Sequence, residues 1–307
     1  MPTCPVCTRP CVARYATARD IEYFTSPDDF TFYRCTDCDV LFLDPMPLDR
    51  LAEIYPKNYY SFDAGGDRSI AQRIKQLLDR RAFRALTSAI SGPSLAALDV
   101  GGGSGWLLND LRRADPRVER TAVVDLDPHA EEIARRNGHA YHLTTFEQFE
   151  TGERFDIILM LNFIEHVADP VRVLRRAREL LRPGGRLWIK TPNFDALDAR
   201  LFRHRSWGGY HAPRHFVLFT KSSLMRHCEA AGFTVAHCSY TQGAPFWTVS
   251  LINELRVLGL CSVSAERPSI EHPLAPALHV AFAAFDFLRK PFSKTSQINI
   301  HLTSPED

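Results

Sequence analysis

The stretch LDVGGGSGWLL, Leu98 to Leu108, sets four glycines and a serine behind an apolar run that carries one acid, Asp99. Glycine is needed where the chain takes positive φ or where another group approaches the main chain closely. A glycine-rich turn between a strand and a helix is where nucleotide-like cofactors settle. A second constellation is Cys4-Pro-Val-Cys7 with Cys35-Thr-Asp-Cys38. Two such pairs, a few tens of residues apart, can fold as knuckles that present four thiolates tetrahedrally to zinc, whereas a redox motif needs only one pair. With Cys4, Cys7, Cys35 and Cys38 all bound, the metal keeps no open position, so its expected role is structural. Cys11 is a spare thiol that could replace Cys7. The third set is histidines: His211 and His215 in WGGYHAPRHFVLFT, and His166 in IEHVADP. Imidazole is the usual general base near neutral pH.

These residues need a scaffold, and the chain alternates strand-like and helical pieces from Leu95 onward. LAALDV reads as a first strand and the helix after the glycines begins near Trp106. TAVVDLD is a second strand, followed by a helix in PHAEEIARRNG that ends at a glycine stop. AYHL, FDIILML, RLWIKTPN, FTVAHCSY and QINIHLT complete seven strands. A helix after FDIILML has Asp169 as N-cap and Pro170 in its first turn. Such alternation predicts a Rossmann-like α/β fold, a parallel sheet with helices on both faces whose ligands sit beyond the carboxyl ends of the strands. The expected organisation is a zinc-ribbon-like segment over 1–45, a helical linker over 46–94 and the α/β domain over 95–307. Residues 241–296 are too long for a plain connection. They read as a helical insertion before the last strand, available to close over substrate, to cover the sheet edge or to meet a partner in a homodimer.

Composition narrows the function. Hydrophobic residues make up 45% of the 307 positions and charged residues 24%, as in an ordinary globular protein, and the formal net charge is +1. That charge gives no bulk attraction to nucleic acid or anionic membrane, and Cys4 to Asp44 carries no excess of bases. The opening MPTCPVC has no charged region followed by an apolar core, so no secretory leader is expected and the chain reads as cytoplasmic, where thiols stay reduced. The longest apolar stretch, Ala275 to Leu288, is broken by His279 and Asp286 and is too short to span a bilayer.

The dinucleotide fingerprint places a third glycine where Trp106 stands, which argues against a nicotinamide enzyme. Instead the order Asp99-Val-Gly101-x-Gly103-x-Gly105 resembles the first motif of class I S-adenosylmethionine (SAM) methyltransferases. The acid in VVDLD, IEHVADP and LLRPGGRLWIKTPN fit the same family, so that the resemblance covers about 95–240. A carboxylate just past the second strand is also placed to accept from two vicinal hydroxyls, and the resemblance implies that Asp125 holds the ribose. It implies further that Asp99 supports the amino-acid end of SAM, that Leu126 neighbours the adenine and that Asn162 faces the cofactor. Phe146 could flank the ring, though a place in the core suits it better, and Tyr60 in NYYSF could close over the sulfonium end. A cysteine-rich front beside this domain is similar to bacterial sugar C-methyltransferases. There a histidine lies in an EH..YF(S/T) segment that PRHFVLFT matches at His215, with Arg214 where the acid would be. The expected activity is methyl transfer to a small hydroxyl or carbon acid, sugar-linked or a natural-product intermediate, with His215, His211 and His166 as candidate bases in that order. The alternative is a zinc-ribbon module that binds nucleic acid or modifies RNA.

Overall fold

The computed structural model describes residues 1–11, 13–56 and 70–306, and for 70–77 the backbone alone. Two sheets organise the chain. The larger holds β4 (Leu95–Val100), β5 (Val118–Asp125), β6 (Ala140–Leu143), β7 (Phe155–Leu161), β8 (Leu181–Pro192), β10 (Thr234–Thr241) and β11 (Gln297–Thr303), in the order β10-β11-β8-β7-β4-β5-β6. The buried runs LAALDV and FDIILM form its centre, as expected of strands covered on both faces. The sheet is mixed rather than all parallel, because β11 runs antiparallel to both β8 and β10. Connectivity explains this. Gln297 pairs with Thr241 and Pro192, the last residues of β10 and β8, so the chain re-enters at the carboxyl edge and can only run back.

Helices α3 (Trp106–Ala114), α4 (Pro128–Arg136), α5 (Pro170–Leu180) and α7 (Lys221–Ala230) flank this sheet, with α2 (Ile70–Ser88) packed along α3. Their starts are chemically specified. Asp127 caps α4 by accepting from the His129 amide at 2.8 Å, and Asp169 caps α5 by accepting from Arg172 at 2.9 Å. At α7 Thr220 and Ser223 form a reciprocal capping box. α5 ends at Leu180 and β8 begins at once with Leu181, its register shifting between Leu181 and Arg186.

The smaller sheet is antiparallel, in the order β1-β2-β3-β9. Its first three strands, β1 (Arg14–Ala18), β2 (Phe30–Cys35) and β3 (Val40–Leu43), belong to the cysteine-rich front. The fourth, β9 (Val217–Phe219), comes from the far side of the chain and pairs Val217 with Phe42 and Phe219 with Val40. One apolar core therefore runs from Phe32 and Phe42 through Phe216 and Phe219 to Ile158, Met160 and Ile189 of the large sheet. The opposite face is covered by Phe83, Leu107 and Leu111 over Val123, Ile157 and Trp188. The insertion forms two helices, α8 (Ala244–Val257) and α9 (Ala275–Arg289), packed on each other, with Trp247 stacked on Phe282 at 5.1 Å. No helix among the described residues is long and apolar enough to cross a membrane.

Candidate active site

The carboxyl edge of the large sheet collects the predicted cofactor residues. The glycine turn leaves β4 with Gly101, Gly103 and Gly105 at φ +71, +52 and +73. The reason for the missing side chains is partly internal. A Cβ on Gly101 would lie 2.9 Å from the Phe163 ring, and one on Gly105 would lie 2.4 Å from His139. At Gly105 it is thus His139, held by Thr121 Oγ1 at 2.8 Å, that the bare backbone admits. Asp99 is buried under the turn, and its Oδ2 has no hydrogen-bond partner among the described residues. Burial, with Asp125 nearby, raises its carboxyl well above the usual range. A buried acid oxygen without a partner costs free energy unless something else engages it, and the amino-acid end of SAM would do so.

Asp125 ends β5. Its Oδ2 accepts from the Gly103 amide at 2.8 Å, and Oδ1 accepts from Leu126 at 2.6 Å and Asp127 at 3.1 Å. These three donors fix the carboxylate and leave lone pairs for further donors, as a ribose diol would supply. Leu126 beside it is 56% exposed, an apolar side chain turned toward solvent. Asn162 follows β7 at φ +58 and accepts from Gln297 Nε2 at 3.0 Å. Phe146 is fully buried, edge-on to Phe163 at 6.2 Å, so it belongs to the core. Tyr60 lies outside the described residues. The turn, Asp99, Asp125, Leu126 and Asn162 therefore fit SAM at the edge where the fold expects a ligand.

Phe163, which covers Gly101, is followed by the turn Ile164–His166, and there the second half of the site begins. The rings of His166 and His215 lie 4.7 Å apart, those of His211 and His215 4.9 Å, and those of His166 and His211 6.2 Å. The three predicted bases form one cluster. His166 Nδ1 meets Tyr55 Oη at 2.9 Å and the Arg214 carbonyl at 3.1 Å, and His215 Nδ1 meets the Gly209 carbonyl at 2.9 Å. Burial lowers His166 to about 3 and, with the neighbouring histidines, presses His215 well below its ordinary value. Glu165 joins them. It is buried, takes Thr191 Oγ1 on Oε2 at 2.9 Å, and has no partner on Oε1 among the described residues. Burial pushes its carboxyl up to about 8. One oxygen of Glu165 and one nitrogen each of His166 and His215 lie within 4.8 Å of one another, compact enough to share a proton or a bound group.

Two residues of this site escape sequence reasoning, Asp20 and Glu22 of the front. Arg214, which stands where the resemblance would place an acid, is fully buried and donates to Asp20 Oδ2 at 2.9 Å and Oδ1 at 3.3 Å. Burial alone would raise Asp20, but Arg214 and Thr25 outweigh it and hold its carboxyl at about 2. Two residues on, Glu22 Oε2 lies 2.5 Å from His211 Nδ1, with both side chains buried.

In the front, Cys4, Cys7, Cys35 and Cys38 place their sulfurs within 4.8 Å of one another, as free thiols, with Cys4–Cys38 at 3.4 Å and Cys7–Cys35 at 3.5 Å. Four sulfurs at about 2.3 Å from one ion have edges of about 3.8 Å, so the donor set suits a tetrahedral metal. Cys11 stands apart and donates to the Arg34 carbonyl at 2.7 Å.

A methyltransferase-domain family model matches residues 67–238, more than half of the chain. The chain belongs to the methyltransferase-domain family. Among curated relatives, the chain is similar to the ubiquinone biosynthesis O-methyltransferase of Nitrobacter winogradskyi. The two are 32% identical over 174 residues, which cover 51% of this chain and 64% of that one. It is 36% identical to the enzyme of the same name from Cereibacter sphaeroides over 128 residues, 40% of this chain and 50% of that one. The chain thus spans less than two thirds of the length of these relatives. Among solved structures, a chain of the complex between the Haloferax volcanii Trm112 methyltransferase activator and a methyltransferase matches with a TM-score of 0.50 and 17% identity. That match covers 77% of this chain and 95% of that one, and it supports the fold.

Proposed function

We propose that this methyltransferase binds SAM at the Asp99–glycine turn–Asp125 edge and transfers its methyl group to a hydroxyl or carbon acid of a small molecule held at the histidine cluster. One observation carries the reading: Phe163 packs on Gly101 of the turn and opens the segment that delivers Glu165 and His166, so cofactor edge and histidines adjoin. SAM, when bound, supplies a methyl group open to in-line attack. The chain supplies the rest. Asp125 would hold the ribose and Asp99 the amino-acid end, while the wall of Tyr55, Phe163 and the buried histidines excludes water and orients the acceptor. The cluster takes up the acceptor proton. The name of the curated relatives favours an oxygen acceptor, and a sugar-linked or natural-product intermediate remains the substrate class proposed. The four front cysteines would hold one structural zinc, and we place the enzyme in the cytoplasm, where such thiols stay reduced.

Isothermal titration tests the first half: saturable SAM binding, no NAD binding, and binding weakened at least about tenfold by Asp125→Asn, equivalent to one charge-assisted hydrogen bond. Absence of SAM binding would sink the reading. Incubation with methyl-labelled SAM and a panel of phenols and nucleotide sugars, read by mass spectrometry, tests the second half. Metal analysis of the purified chain should give one zinc, lost in Cys38→Ser.

A further inference from the structure

The helical hairpin of α8 and α9 follows residue 238, where the match to the methyltransferase-domain family ends. One face of α9 is accounted for. Phe282 stacks on Trp247 of α8 at 5.1 Å, Phe285 meets the same indole edge-on at 5.6 Å, and buried Asp286 accepts from the Gly243 amide at 2.9 Å. The other face is bare. Every exposed position of α9, from Pro276 to Leu288, is apolar. Ala277, Val280, Ala281, Ala284, Phe287 and Leu288 recur at spacings of three and four, so they form one outward stripe, about 17 Å long at the rise of a helix. Phe287 is 75% exposed and Leu288 72%, and Phe292, just beyond the helix, is 89% exposed. A helix that is apolar all round is ordinarily covered on every side, and a contiguous apolar patch in water marks a surface that meets another phase or molecule.

Charge decides what meets it. From Leu274 to Lys294 the sole acid is Asp286, buried and bound to Arg289, whereas Arg289, Lys290 and Lys294 follow directly on the apolar stripe. Lys294 also holds Asp195, while Lys290 is exposed and has no ion partner among the described residues. Phenyl and leucyl groups that stand out from the surface and end in cations suit an anionic bilayer: the apolar groups enter the acyl boundary and lysine stems reach back to the headgroup phosphates. A second copy of the chain suits the stripe less well, because a protein interface of ordinary size carries about ten direct hydrogen bonds and no side chain of the stripe can make one. At 15 residues α9 is too short to cross the hydrocarbon core, so it would lie along the surface. We propose that the outward face of α9, with Lys290 and Phe292, docks this methyltransferase on the surface of an anionic lipid bilayer. The formal charge of +1 for the whole chain is no obstacle, because such attraction is local and fades within a Debye length of about 10 Å.

The test is co-sedimentation of the full chain with extruded vesicles, one set of phosphatidylcholine alone and one with phosphatidylglycerol at about one lipid in three. The wild type should partition onto the anionic vesicles more strongly than onto the neutral ones, and added salt should narrow the difference. Phe287→Ser/Leu288→Ser should lower partitioning onto both sets at least about tenfold, since two apolar side chains no longer leave water. Lys290→Glu should weaken binding to the anionic set about fivefold or more and leave the neutral set unchanged. Failure of the wild type to sediment with either set, equal binding to both, or binding unaltered in Phe287→Ser/Leu288→Ser overturns the proposal. Thermal unfolding checks that each variant is folded. If the double variant is not, Phe292→Ser, outside the helix, decides, and undiminished partitioning is the overturning result. Sedimentation velocity without lipid supplies the remaining arm: a wild-type dimer that Phe287→Ser/Leu288→Ser converts to monomer would assign the face to a second copy of the chain and overturn the bilayer assignment. None of these readouts depends on SAM, so they stand or fall apart from the methyl-transfer reading.

Discussion

Glu165, His166 and His215 give the molecule a pH signature. An acid whose carboxyl is raised by burial holds a proton in the folded state that it has lost in the unfolded one, so its contribution is full below its unfolded value and is lost as pH climbs. For Glu165 the window runs from its ordinary 4.5 to about 8. The histidines act in the opposite sense: His166, lowered from 6.5 to about 3, makes stability rise across that interval, and His215 adds to it. Each such group contributes on the order of 1.4 kcal/mol per pH unit within its window. Chemical denaturation from pH 4 to 9 should therefore give a maximum near the top of the histidine window, with a decline above it. Glu165→Gln should flatten the alkaline decline and steepen the rise between 4.5 and 6.5, where its slope opposes that of the histidines. Asp125→Asn should weaken SAM without touching the histidine cluster, because its three amide donors lie outside that cluster.

At the scale of elements, the junction of α3 with β5 is the tightest point in the cofactor cradle. Gly105 stands at the start of α3 in a left-handed conformation, and His139, after α4, fills the place of its side chain. Gly105→Ala should cost about 1–3 kcal/mol from the backbone alone, and more because the His139 ring is tied to Thr121 of β5 and cannot swing away freely. A fall in melting temperature together with weaker SAM binding is the expected outcome. Most elements here were legible in the sequence because their signals are local. Buried strands are short apolar runs, and Asp169 announces the helix that it caps. What was not legible is what depends on distant partners. β1, in RYATA, has no clean alternation, and the three residues of β9 look like part of a histidine-bearing loop. The glycine spacing pointed to a cofactor, yet no sequence rule could say that His139 would claim the space at Gly105. Glu22 carries no motif; only its neighbour Asp20, paired with Arg214, gives it a role.

For the whole molecule, the buried Asp20–Arg214 pair is the fastening between front and rear. Removing one partner leaves an uncompensated charge in the interior, so Arg214→Met should destabilise by about 3–5 kcal/mol. The double variant Asp20→Asn/Arg214→Met should recover part of that loss, and the coupling can be measured by denaturant unfolding as a double-mutant cycle. If the four cysteines hold zinc, chelation should loosen β1–β3 and raise hydrogen exchange at Leu43 and Leu218, since the Leu43 amide donates to the Phe216 carbonyl and Leu218 of β9 pairs with Leu41 of β3.

That shared strand also orders events during synthesis. The front sheet lacks its fourth member until the ribosome has released Val217–Phe219, so that sheet stays incomplete through most of translation. Contacts so far apart in the chain slow folding, and a nascent chain halted before β9 should show its front thiols reacting freely with a maleimide probe, whereas a chain extended past α7 should protect them.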